Sequence, residues 1–295
     1  MQLLENATGI SFKNILFLTD FTETSEAARA YAIGLARHYD AQLYPAFACN
    51  PIVMTDSMVA ADIVQEHEEN SRLHLEQLAK IPGTKSIPLF VRGAVEDAVP
   101  HWVTEYGIDL IVMGTHGHKG LKHFLMGSTA EHIIRSATCP VLTVGPHVAD
   151  KPFKDFDISN ILCPTDLHEH ARFTADCAHS LAEANSATLT FIHIVPTEDL
   201  LRSGEPETVL KSARLEMEKL AGSNGTKTKH RCVVEAGDPV KDIVSFARAN
   251  KSDLILLGLP ASKTFNGHFR TGVTYNVISS AFCPVLTFRD VASRQ

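Results

Sequence analysis

The chain has 295 residues, 44% of them apolar and 21% charged. That is room for two domains of roughly 150 residues each, and it excludes a disordered chain, a collagen-like repeat and a disulfide-dense miniprotein. The formal net charge is -7, with 10 basic and 16 acidic side chains in residues 1–148 and 17 and 18 in residues 149–295. Neither half has the basic surface that draws in a phosphate backbone, so no nucleic-acid partner is expected.

In chain order, Ile15–Thr19 is an apolar run of strand length. Glu26–His38 carries helical spacing through Ala27, Ala30, Tyr31, Gly34 and Leu35, and Leu43–Cys49 is a second strand. Asp62–Leu78 is helical, Ile87–Val91 a third strand and Val95–Tyr106 a third helix. Leu110–Met113 is a fourth strand, Thr129–Ser136 lies in a fourth helix, and Val141–Val144 is a fifth strand. The strand runs are almost wholly apolar rather than alternating, which is how strands covered on both faces read. Strand–helix alternation of this kind predicts an α/β fold with a doubly wound parallel sheet.

The chain repeats itself. Ile15-Leu16-Phe17-Leu18-Thr19-Asp20 recurs as Ile161-Leu162-Cys163-Pro164-Thr165-Asp166, an offset of 146. Asp109-Leu110-Ile111-Val112-Met113-Gly114 recurs at Asp253, and Cys139-Pro140-Val141-Leu142-Thr143-Val144 recurs at Cys283, both at an offset of 144. Two tandem domains of five strands each, 1–148 and 149–295, are therefore expected. Between them lies a polar stretch from Gly145 to Asn160. No apolar run nears the roughly 18–20 residues of a membrane helix, and no membrane partner is expected. The first twelve residues hold no Lys or Arg, and Ile15–Leu18 is too short for a signal-peptide core, which points to a cytoplasmic protein. None of the six cysteines forms a C-x-x-C pair, so buried free thiols are expected.

Ligands of open parallel sheets bind beyond the carboxyl ends of the strands, where the strand order reverses. Asp20 follows the first strand and Gly114 the fourth. Gly114-Thr115-His116-Gly117 is followed by nine residues and then Gly127-Ser128. Glycines admit close backbone approach and positive φ. Ser128-Thr129-Ala130-Glu131 reads as a capping box, and a helix start of that kind suits a phosphate. Lys119 and Lys122 lie in the same loop. The alternative for Asp20 is a plain cap on the helix that follows.

These stretches resemble the universal stress protein family in its tandem two-domain form. The resemblance rests on Thr19-Asp20, on the pattern G-x2-G-x9-G-[ST] at Gly114, Gly117, Gly127 and Ser128, and on Cys139-Pro140-Val141-Leu142. It implies a Rossmann-like, adenine nucleotide alpha hydrolase-like fold. In ATP-binding members of the family the strand-one Asp contacts adenine, the glycine loop and its Ser hold the phosphates, and a residue closing strand two lines the base pocket. Those roles fall on Asp20, on Gly114, Gly117, Gly127 and Ser128, and on Ala48. Leu18, Thr19, Met113, His116 and Thr129 stand beside them and complete the candidate set. The cofactor implied is ATP in the first domain, with Mg2+ carried by the nucleotide. The resemblance also implies that the halves pair through their last strands as a pseudo-dimer, and whole chains could pair as a homodimer.

At an offset of 144 the second copy places Ala261 at Gly117, Thr271 at Gly127, Gly272 at Ser128 and Tyr275 at Glu131. Asp166 and Gly258 are kept. Loss of ATP binding by the second half is therefore expected. No G-K-[ST] follows the glycines, no G-x-S-x-G elbow occurs, and the 15 histidines show no convergent metal-ligand spacing, so no catalytic and no metal residues are assigned. A nucleotide-binding regulatory protein of stress response is the leading expectation. A slow ATPase or phosphotransferase, and a scaffold without nucleotide, are the rivals.

Overall fold

The computed structural model describes residues 10–50, 58–115, 126–149, 157–168, 171–222, 229–259 and 272–289. The chain divides into two compact units, Phe12–Phe156 and Asp157–Gln295.

The first unit runs β1 (Asn14–Leu18), α1 (Glu23–His38), β2 (Gln42–Cys49), α2 (Met58–Leu78), β3 (Leu89–Arg92), α3 (Val95–Glu105), β4 (Leu110–Gly114), α4 (Ser128–Ser136), β5 (Val141–Val144) and a last single turn, α5 (Pro146–Ala149). Its strands are ordered β3-β2-β1-β4-β5, and the paired strands are all parallel. Right-handed crossovers then place α1 and α2 on one face and α3 and α4 on the other. This explains the unbroken apolar runs: Ile15, Leu16 and Phe17 in β1 and Ile111 and Val112 in β4 are fully buried. Burial of each such side chain contributes about 1.5–3 kcal/mol. The helix α1 packs through Ala28, Ala32, Leu35 and Ala36, a stripe along one face. Its first turn holds Glu23 and Glu26 and its last Arg37 and His38, each suited to the helix dipole.

The second unit runs β6 (Asn160–Pro164), α6 (Ala171–Ala184), β7 (Thr188–Pro196), α7 (Thr197–Ser203), α8 (Pro206–Ala221), β8 (His230–Gly237), α9 (Pro239–Ala249), β9 (Leu254–Leu259), α10 (Val273–Ser280) and β10 (Val285–Arg289). Its order is β8-β7-β6-β9-β10, the same topology as the first. Two helices, α7 and α8, stand where the described residues of the first unit hold α2. Gly204, at φ 68, ends α7 in the left-handed region and turns the chain into α8.

One device at the amino end of each sheet explains a repeated residue. Asp109 accepts hydrogen bonds from the N–H of Lys13 at 2.7 Å and of Asn14 at 3.1 Å, and so fixes the entry to β1 beside β4. Asp253 does the same with Ser159 at 3.0 Å and Asn160 at 2.8 Å. The Asp that opens each D-L-I motif is therefore structural and lies at the strand ends remote from the glycines.

Candidate functional site

The strand order reverses between β1 and β4: the chain leaves β1 toward β2 and returns to β4 on the other side. Crevices beyond the carboxyl ends at such a point are where open α/β sheets bind ligands. Leu18 and Met113 are register partners there, and both are buried.

At the end of β1 the chain makes a sharp turn. Thr19 is buried, and its Oγ1 accepts the Phe21 N–H at 3.0 Å and lies 3.1 Å from Ser25 Oγ. Asp20 Oδ1 accepts from the Thr22 N–H at 3.1 Å and from Thr22 Oγ1 at 2.6 Å. Thr22, not Asp20, is the residue that caps α1, its side chain accepting the Ser25 N–H. Asp20 orients that cap through one oxygen. Its Oδ2 has no hydrogen bond among the described residues. Phe21 is held at φ 62, in the left-handed region that a bulky residue enters only when its surroundings fix it. Its ring stacks on Phe47 at 4.6 Å and on His74 at 4.3 Å. No local pattern marks this stack in the sequence, because its three rings come from a turn, from β2 and from α2.

At the end of β4, Thr115 donates its N–H to Val144 O at 3.1 Å and accepts the Gly127 N–H at 2.8 Å. The residues flanking 116–125 are thereby tied together. His116, Gly117, Lys119 and Lys122 lie outside the described residues. Gly127 then caps α4 with φ -63 and ψ 149, and as a glycine it brings no side-chain cap to the first-turn N–H groups. Those donors and the positive end of the helix dipole are what a phosphate would use.

Ser128 is not the N-cap: it is the first helical residue, and the S-x-x-E box does not form. Glu131 instead pairs with Arg135 at 3.6 Å. Neither Gly114 nor Gly127 lies in the left-handed region, so positive φ is not their reason. A Cβ on Gly114 would stand 3.1 Å from Thr24 Cγ2 and 3.2 Å from the Thr24 backbone. That glycine lets α1 close down on β4. Among the described residues an added Cβ at Gly127 meets only Thr115 O at 3.5 Å, an ordinary contact. Its lack of a side chain leaves space at the helix start.

Ala48 sits near the end of β2, partly exposed, paired with Val91 of β3. Cys49 follows it, and burial together with the Glu68 carboxylate raises its thiol, against the pull of Arg92. Thr129 donates its hydroxyl to Glu96 Oε1 at 2.9 Å, joining α4 to the first turn of α3. No motif marks Glu96 in the sequence.

The second unit rebuilds the strand-end turn. Thr165 Oγ1 accepts the Leu167 N–H at 3.1 Å, Asp166 Oδ1 accepts the His168 N–H at 3.1 Å, and Leu167 has φ 62. Where Phe47 stands in the first unit, His193 turns its Nδ1 to Thr165 O at 2.8 Å. The helix α10 is capped by Gly272 at φ -74 and ψ 155. Counted from the helix starts the offset is 145, so Gly272 takes the place of Gly127, not of Ser128. It is the hydroxyl that is lost: Val273 follows the glycine and is 41% exposed. Ala261 and Thr271 lie outside the described residues. No helix among the described residues is long and apolar enough to cross a membrane.

A family model described as the universal stress protein family matches residues 11–145 and again 158–289. A universal stress protein of Methanocaldococcus jannaschii is 30% identical over 139 residues, which is 45% of this chain and 82% of that protein. One from Bacillus subtilis is 26% identical over 146 residues, 45% of this chain and 99% of its own. The crystal structure of a universal stress protein from Archaeoglobus fulgidus shares the fold, with a TM-score of 0.68 over 94% of this chain and 98% of that one at 17% identity.

Proposed function

Because the chain belongs to the universal stress protein family, we propose that its first half binds ATP at the carboxyl ends of β1 and β4 and serves as a nucleotide-dependent regulator in stress response. The observation that carries this reading is the start of α4. Gly127 is drawn in by Thr115, an added Cβ there meets only Thr115 O among the described residues, and Gly127 itself brings no side-chain cap to the first-turn N–H groups. Ser128 adds an exposed hydroxyl to that turn. Asp20 offers an oxygen to the exocyclic amine of adenine, beside Ala48. Gly117 and His116 complete the proposed set from the loop, and Mg2+ would accompany the phosphates.

In the second half Val273 replaces the hydroxyl with an apolar side chain, so one ATP per chain is the expected stoichiometry. A forfeited charge-assisted hydrogen bond is worth about 1.5–3 kcal/mol, roughly ten- to a hundredfold in affinity. Calorimetric titration of protein stripped of nucleotide tests this. Binding near one equivalent is expected, weakened at least tenfold by Gly127→Val and by Asp20→Ala in proteins that melt normally. Undiminished binding in both variants, or two sites of similar affinity, would refute the assignment. Following ADP over hours on the same protein separates a bound nucleotide from a hydrolysed one.

A further inference from the structure

Resting on that reading, we propose that Glu96 is a specificity-determining residue that lowers the affinity of the first-half site for the triphosphate relative to uncharged adenosine. Glu96 lies in the first turn of α3, and α3 packs against α4. Its Oε1 accepts the hydroxyl of Thr129, the second residue of α4, at 2.9 Å. A carboxylate therefore stands at the same helix end whose N–H groups an incoming phosphate would use. No ion pair neutralises Glu96 among the described residues; the Arg135 guanidinium, a turn and a half further along α4, is engaged by Glu131.

Two consequences follow. A threonine hydroxyl has one proton, and while Thr129 gives it to Glu96 it has none for a phosphate oxygen. A phosphate drawn to the helix start also approaches a fixed like charge, and the repulsion grows with every negative charge on the ligand. Adenosine carries none and is indifferent to both. The second half lacks the device: at an offset of 144 the counterpart of Glu96 is Val240. The charge is thus a feature of the half with the glycine–serine helix start, where it sets selectivity and the shared scaffold does not need it.

Dissociation constants for ATP and for adenosine, measured by calorimetry on the full chain, test the proposal. Glu96→Gln keeps an oxygen that accepts from Thr129 and removes only the charge, and Glu96→Ala serves as the second variant. Both are expected to tighten ATP about five- to tenfold and to leave adenosine within about twofold. The gain should shrink between low and high salt, as screening removes the repulsion from the wild type. Unchanged or weaker ATP binding by Glu96→Gln, or equal shifts for ATP and adenosine, would overturn the inference while the ATP reading stands. Failure of wild type and both variants to bind either ligand would overturn the ATP reading and this inference with it.

Discussion

Gly114→Ala adds a single methyl group, and the structure says what it would strike. The new Cβ would lie 3.1 Å from Thr24 Cγ2, 3.2 Å from the Thr24 carbonyl carbon and 3.2 Å from its oxygen. Two of these atoms are backbone of α1, whose first turn is pinned by the Thr22 cap and by the contact of Ser25 with Thr19. On the other side, β4 is locked in register between β1 and β5, with Gly114 opposite Val144. Neither partner can withdraw without breaking ladder or cap bonds, and overpacking of this kind costs about 1–3 kcal/mol. Gly127→Ala is the matched control: its Cβ has 3.5 Å to Thr115 O and its φ of -63 suits any residue, so only the poorer cap is felt, under about 1 kcal/mol. Urea unfolding followed by Trp102, the single tryptophan, buried in α3 of the same half, reads both. Gly114→Ala should shift the midpoint down with the slope unchanged, and clearly further than Gly127→Ala. Equal midpoints, or the reverse order, would show that the close approach of α1 to β4 is not what this glycine serves.

The N-cap of α9 should carry a pH signature. Asp238 is held below the usual carboxylate range, chiefly by the Lys241 N–H, so its contribution is complete above the unfolded value and fades as pH falls through the lower native one. Urea midpoints compared between pH 7 and pH 3 should lose part of their slope in Asp238→Asn, and an identical slope would contradict the assignment. Burial, aided for Cys139 by the Asp109 charge, pushes the thiols of Cys139 and Cys163 up to about 12. Both should therefore escape iodoacetamide at pH 8 in the native protein and react once it is denatured, as mass spectrometry of the peptides would show; native labelling of either would refute it.

The duplication, the parallel α/β architecture and the strand positions were legible in the sequence by itself. Each rests on a local property: a buried strand must be an apolar run wherever the rest of the chain goes, and a repeated run repeats its strand. The places of Asp20 just past β1 and of Gly114 at the end of β4 were legible too, because turn chemistry falls at fixed offsets from strand ends. Their individual tasks were decided only by the tertiary structure. Whether Gly114 serves a ligand or a helix depends on Thr24, 90 residues earlier. The function of Thr129 depends on Glu96 across two helices, and the left-handed Phe21 depends on Phe47 and His74. Even the start of α4 moved by one residue against the capping-box pattern, because Thr115 fixes Gly127 in the extended cap position and leaves Ser128 inside the helix. Hydrophobic pattern is written along the chain, whereas close approach, capping and charge at a site are properties of pairs that the fold alone brings together.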